Sequence, residues 1–227
     1  SQKKFNSIPF EESIELLQNA NISTLMLDDD YLYYGVQNIG CFQYSLKNNK
    51  TQRINTEINF DPLCLNKINE TVYIGSDMGL FLKDKTDFYL RQDKLITGHD
   101  PVFPLQISSI CEDGNNNIYF GSFSGLIVRN NDNTDWIHYL YPQTEILRGK
   151  RIFSLLYDKD ANCIWIGTIS DGLYKLNLTN EGNFISLEVY NESMQNSYNI
   201  TNNTIWCFLK GKDGTLWIGT DEGLLRK

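Results

Sequence analysis

One unit recurs five times along the chain, and this limits the available folds more than any other feature. The copies read DYLYYGVQNIGCF (residues 30–42), ETVYIGSDMGLF (70–81), NNIYFGSFSGLI (116–127), NCIWIGTISDGLY (162–174) and GTLWIGTDEGLL (214–225). Their first glycines are Gly35, Gly75, Gly121, Gly167 and Gly219, spaced by 40, 46, 46 and 52 residues. A second glycine follows four or five residues later, at Gly40, Gly79, Gly125, Gly172 and Gly223. Such a period marks an array of small structural units, each packed on the next.

Each unit is preceded by its own apolar run: ISTLMLDD, FDPLCLNK, ISSICEDG, IFSLLYDKD and IWCFLKGKDG. Each run ends in a polar turn and leads into the aromatic segment, the pattern of a β-hairpin. The second glycine suits a positive φ in a tight turn. A third strand follows, as in GLYKLNL, and a fourth at variable distance: TQRINT, DFYLRQ, DWIHYL and FISLEVY. The 25 asparagines suit many tight turns, because Asn tolerates left-handed backbone. Apolar positions do not repeat at the 3.6 period of a helix. FEESIELLQN, near the N-terminus, is read as a loop with at most one helical turn.

Four antiparallel strands per repeat make the blade of an all-β propeller. We label the strands a to d from the axis outward. The expectation is a single domain over residues 1–227, with repeats near 21–55, 60–93, 106–141, 151–190 and 204–227. Four repeats have all four strands, and the fifth ends after strand c. Residues 3–10 are expected to supply its strand d, giving five four-stranded blades and pairing exposed edges. The ring is either closed in this way or is a five-blade arc of a seven-bladed propeller.

The strings KDGTLWIGTDEGLLRK (212–227) and ANCIWIGTISDGLYKL (161–176) resemble the two-component regulator propeller repeat. That repeat occurs in the periplasmic sensor region of hybrid histidine kinases from Bacteroidetes. The first three repeats carry YYGV, YIGS and YFGS in place of WIGT. FNSIPFEESIELLQNANI resembles the start of such a sensor region just after its signal peptide. The resemblance implies a ligand-sensing module on the outer side of the inner membrane. It also implies a carbohydrate signal, control of polysaccharide-use genes, the rest of the sensor kinase as a partner, and a homodimer in the parent protein. Members usually have seven blades per propeller, followed by a membrane helix and a kinase. This chain has five repeats and no kinase, receiver or membrane-helix motif, so it is expected to be a sensor piece or a smaller relative.

Charge and cysteine content exclude other classes. Acidic residues outnumber basic ones 28 to 20, a net charge of −8, which disfavours nucleic acid and anionic membranes. No apolar run is long enough to span a bilayer. Cys41, Cys64, Cys111, Cys163 and Cys207 are odd in number with no CxxC spacing, and read as small buried strand residues. The two histidines, His99 and His138, lie near no cysteine, so neither a metal nor a cofactor is expected.

No catalytic constellation appears. Gly121-Ser122-Phe123-Ser124-Gly125 places Phe where a nucleophile elbow needs Ser. The string from Asp158 to Asn162 begins like a calcium loop but lacks its glycine and its distal glutamate, so it reads as an a–b turn. Asp28, Asp113 and Asp158 all fall in a–b turns, away from the d–a loops, which argues against the alternative of a propeller glycosidase with axial carboxylates. A protein-docking scaffold is the other alternative.

Recognition is expected on the face holding the b–c turns and the long, uneven d–a connections. The candidate contacts are Gln37, Asp77, Phe123, Asp171 and Asp221 in the b–c turns, with Tyr141, Arg148 and Arg151 between the third and fourth repeats. The cluster Arg148, Lys150 and Arg151 suits an anionic group such as a uronate or sulfate. The in-register aromatics Tyr33, Tyr73, Tyr119, Trp165 and Trp217 read as blade packing.

Overall fold

Alternating runs such as TVYIGS and CIWIGT can bury both faces only when sheets stack on either side of them. A computed structural model describes residues 20–54, 59–84, 91–92, 106–131, 146–193 and 200–227, and shows five such sheets. The first comprises β1 (Ile22–Leu27), β2 (Tyr31–Val36), β3 (Gly40–Ser45) and β4 (Thr51–Arg53). The second comprises β5 (Pro62–Ile68), β6 (Thr71–Ser76), β7 (Gly79–Lys83) and β8 (Arg91–Gln92). The third has β9 (Ile107–Glu112), β10 (Ile118–Ser122) and β11 (Gly125–Arg129). The fourth has β12 (Ile152–Asp158), β13 (Cys163–Thr168), β14 (Leu173–Leu178) and β15 (Phe184–Tyr190). The fifth has β16 (Ile205–Lys210), β17 (Leu216–Thr220) and β18 (Gly223–Arg226). All pairings are antiparallel meanders, and no α-helix occurs among the described residues.

The repeat predicts every a, b and c strand. The expectation of five four-stranded blades is met only in part, with three sheets of four strands and two of three. DWIHYL, the expected fourth strand of the third sheet, and residues 3–10, expected to complete the fifth, lie outside the described residues. So do FEESIELLQN and Tyr141. The innermost strands stand side by side in sequence order, β1 by β5, β5 by β9, β9 by β12 and β12 by β16. No comparable contact returns from β16 to β1, so the ring expected from the strand count is not closed among the described residues.

The two glycines of each repeat do different work. The second glycines have φ of 119°, 111°, 129°, 92° and 129°, as a tight b–c turn requires. The first glycines do not have positive φ, and serve close approach instead. A Cβ on Gly121 would lie 2.6 Å from Cγ2 of Ile152, on the next sheet. The same contact joins Gly75 to Ile107, and Gly167 to Ile205, each at 2.7 Å, and Gly35 meets Pro62 at 2.6 Å. So the residue that opens strand a of one sheet seats on the strand b glycine of the sheet before it. Asn takes the left-handed conformation at Asn38, Asn49, Asn69, Asn116 and Asn162, as its abundance suggests.

The core is a series of layers between neighbouring sheets. Tyr73, Leu80 and Leu82 pack on Ile107, Ile110 and Phe120. Tyr119, Leu126 and Val128 pack on Ile152, Ile164 and Ile166. Trp165 and Leu173 pack on Ile205, Leu216 and Ile218. Burying each such side chain contributes about 1.5–3 kcal/mol. Hydroxyls and a thiol of strand a add a polar stitch: Ser23, Cys64, Ser108 and Ser154 donate to the carbonyls of Pro62, Ile107, Ile152 and Ile205. All five cysteines are free. Cys41, Cys111 and Cys163 are buried as expected, and burial pushes the Cys64 thiol up to about 12. Cys207 is the exception and is exposed, because no described sheet follows the fifth.

Candidate functional site

The b–c turns and the entries to strand a meet at one end of the sheets. In four sheets the first turn residue donates its N–H to the residue just before strand a: Gln37 to Asn21, Asp77 to Asp61, Phe123 to Gln106 and Ile169 to Arg151. Neighbouring sheets are tied at the same level, by Asn38 N–H to the Asp61 carboxylate, Gly149 to Ser124 and Gly172 to Asn203. The turns are therefore held rigidly, which suits a surface that positions side chains.

Between the third and fourth sheets this surface gathers several candidates. The Arg151 guanidinium stands 4.7 Å above the centroid of the half-buried Phe123 ring, a cation–π contact. Lys150 pairs with Asp171, and this bond holds the lysine above its ordinary pKa. Arg148 is exposed beside them, and neither Arg148 nor Arg151 has an acidic partner among the described residues. The result is a locally cationic spot on an acidic protein.

Gln37, Asp77 and Asp221 are not part of this cluster. Gln37 accepts from the Asn21 amide, and Asp77 accepts the N–H of Asp61. Asp221 accepts from the indole N–H of Trp206. That bond adds a candidate that the sequence reading did not include. Trp206 is 39% exposed and makes an edge contact with Phe153, ring centroids 4.8 Å apart. Both sit at a register shift in strand a, between Ile152 and Ser154 and between Ile205 and Cys207. Such bulges re-aim a side chain. Aligned on the glycines, the other repeats place Ser23, Leu63 and Ser108 there. The signal was thus available: an aromatic that breaks the repeat, hidden inside a strand rather than in a turn.

The opposite end holds the a–b turns, as expected, but Asp158 is buried and bonded within the fold, where the sequence suggests a solvated hairpin. Asp28 pairs with Lys67 of the next sheet at 2.8 Å. Asp113 accepts from the backbone of Asn115 and Asn117 and from the Tyr119 hydroxyl. Asp158 accepts from Lys210 at 2.6 Å, from the Trp165 indole and from two backbone N–H groups of its own turn. Burial raises its pKa, but these bonds to Lys210 and Trp165 outweigh that and hold it below the usual carboxylate range. No cluster of three or more metal-ligating side chains occurs among the described residues. An apolar crevice lined by Tyr119, Leu126, Leu176 and Phe184 measures only about 10 Å³, room for a single water and not for a ligand.

Comparison with known proteins bears on this arrangement. A family model described as two component regulator propeller matches residues 199–222, across the strand a, turn and strand b of the fifth sheet. Those residues are similar to a two-component regulator propeller repeat. No curated protein is similar in sequence. The fold is similar to the extracellular domain of BT3049 of B. thetaiotaomicron, described as a hybrid two component system. The TM-score is 0.67 at 19% identity, covering 90% of this chain and 26% of that one. It is also similar to the extracellular domain of BT4673 from the same organism, described as a one component system, with TM-score 0.59 and 21% identity over 95% of this chain and 33% of that one. PorZ, a surface component of the type-IX secretion system of Porphyromonas gingivalis, matches with TM-score 0.68 and 16% identity over 90% and 31%. This chain thus spans about a quarter to a third of each of these larger proteins.

Proposed function

We propose that this chain is a ligand-sensing part of a two-component system, on the periplasmic side of the inner membrane, built from five propeller blades. The ligand class the site fits best is an oligosaccharide bearing an acidic group. The observation that carries this reading is the Arg151–Phe123 pair, with Arg148 beside it, on the face where the connections vary most. An aromatic face packs on the apolar side of a sugar ring, while a guanidinium receives a carboxylate or sulfate in bidentate fashion. Trp206 and Phe153 extend the aromatic surface toward the fifth sheet.

Hydrolysis is disfavoured because Asp77, Asp171 and Asp221, the candidate carboxylates of this face, are already engaged. Asp171 faces Lys150, Asp221 holds the Trp206 indole, and Asp77 holds a backbone N–H. Signalling would follow if the ligand favoured one arrangement of the parent protein over another.

The test is titration calorimetry with a uronate-bearing oligosaccharide and its neutral analogue, on the parent chain and on Phe123→Ala and Arg148→Ala. Binding that prefers the acidic sugar and weakens about tenfold or more in either variant supports the proposal. Affinity unchanged in both removes this face as the site.

A further inference from the structure

An edge strand presents a row of backbone N–H and C=O groups without partners, and folded proteins keep such rows short or break them with Pro, Lys or a bulge. Two of the described fourth strands are short: β4 has three residues and β8 has two. β15 has seven, contains neither Pro nor Lys, and pairs with no strand on its outer side among the described residues. Its one irregularity is a register shift at Ile185, which leaves residues 186–190 regular. Ile185 itself is 57% exposed.

The ladder fixes which backbone groups face outward. Leu178 donates its N–H to the Asn162 carbonyl, and Thr168 to that of Gly172, so the even-numbered residues of β14 bond to β13. Bonding alternates along an antiparallel strand, so Lys175 and Asn177 bond instead to β15, through Glu188 and Ser186 opposite them. The N–H and C=O groups of Leu187 and Val189 therefore point away from the sheet. The side chains alternate in the same way. Leu187 and Val189 pack in the layer shared with the third sheet. Ser186 and Glu188 lie on the other face, where the Asn177 amide donates to both.

We infer that the outer edge of β15 pairs antiparallel with β15 of a second copy of this chain, about a two-fold axis at Leu187, so that two four-stranded sheets join into one. A two-fold contact must be complementary to itself. Here Leu187 bonds reciprocally with its own mate, Ser186 faces the partner's Glu188, and Val189 faces the partner's exposed Ile185. Neighbouring positions of the axis fit less well. Centred on Glu188, the pairing would set two carboxylates directly opposite each other, which destabilises a strand pair. Centred on Ser186, it would place the irregular Ile185 in both pairs beside the axis. The family resemblance implies a homodimer of the parent protein but no surface for it. The surface is read from β15 alone and depends on neither the ligand reading nor the number of blades.

The test is sedimentation equilibrium of the chain from about 10 μM to about 1 mM, the range suited to so small a contact. A monomer–dimer equilibrium is expected. The Ser186–Glu188 contact occurs twice in the dimer, and Ser186 is exposed, so its variants read the pairing with opposite signs. Ser186→Lys sets a cation opposite each Glu188 and should tighten the dimer about threefold or more, whereas Ser186→Glu sets like charges there and should weaken it by as much. Amide exchange followed by NMR gives a second reading. The Leu187 and Val189 amides should gain protection as concentration rises, while the Glu188 amide, bonded to β14, is protected throughout. A chain that stays monomeric at about 1 mM overturns the inference. So does a dimer that both variants leave unchanged, which assigns association to another surface. Protection of the Leu187 and Val189 amides in the monomer shows the edge already paired within the chain, and also overturns it.

Discussion

Gly75→Ala tests whether the repeat glycines exist for close approach between sheets. A methyl at this position would lie 2.6 Å from the Ile107 carbonyl oxygen, 2.7 Å from Ile107 Cγ2 and 2.5 Å from Cys64 Sγ. Carbon contacts are optimal at about 3.5–4.0 Å, so the clash is close to 1 Å deep. One of the atoms is backbone, so rotating a side chain cannot relieve it, and β9 must retreat from β6. Overpacking of this kind costs about 1–3 kcal/mol, and the backbone contact places it near the top of that range. Against this, replacing Gly by Ala in a strand stabilises by about 0.4–1 kcal/mol through the unfolded state. The net is a loss of about 2 kcal/mol, or a melting temperature lower by about 4–8 °C for a chain of this length. Gly219→Ala is the internal control. Its methyl would meet only the Sγ of exposed Cys207, which can rotate away, so the melting temperature should change by less than about 2 °C. Thermal melting followed by far-UV circular dichroism measures both. An unchanged or raised melting temperature for Gly75→Ala would refute the close-approach argument.

Two further expectations follow from the junctions and turns. The Asp158–Lys210 pair joins the fourth and fifth sheets, and Lys210→Met should destabilise by about 2–4 kcal/mol in urea titration, because it strips a buried carboxylate of its cation. The folded-state pKa of Asp158 is lowered, so the stability it confers is present above the ordinary carboxylate value of 3.8 and is lost as pH falls through the lower folded value. The pKa of Lys210 is raised, so its share is present below 10.5 and lost only at higher pH. Acid unfolding of Lys210→Met should therefore lack the part of the pH slope that Asp158 supplies, and an identical slope would contradict this. Gly172→Ala should cost about 3 kcal/mol or more, because its φ is 92° and its methyl would meet the Tyr190 carbonyl oxygen; a loss under about 1 kcal/mol would show that the b–c turn can relax.

Local chemistry repeated five times is what made the fold legible. The aromatic–apolar–Gly unit, the polar a–b turn and the second glycine each act within a few residues, so strands a, b and c could be placed from sequence, and the left-handed φ at Gly40, Gly79, Gly125, Gly172 and Gly223 follows from turn geometry alone. The packing of the b-strand aromatics, of which Tyr33, Tyr73, Tyr119 and Trp165 are buried, and the place of Asp28, Asp113 and Asp158 in the a–b turns were legible for the same reason, but the burial and bonding of Asp113 and Asp158 were not.

Contacts between repeats were not legible, because they depend on which face of one sheet meets which face of the next. The sequence marks the first glycines but not their purpose, which appears only when Ile107, Ile152 and Ile205 are seen seated on Gly75, Gly121 and Gly167. It offers Phe123 and Arg151 as separate candidates 28 residues apart, and only the stacking of the third and fourth sheets brings the guanidinium over the ring. Trp206 looked like a strand residue until the bulge in β16 carried it toward Asp221. Ring closure was argued from a strand count, yet closure requires the last sheet to meet the first, and whether it does is a matter of the angle between successive sheets. Repeats specify their neighbours pairwise; how many are needed to complete a circle is a property of the assembled whole.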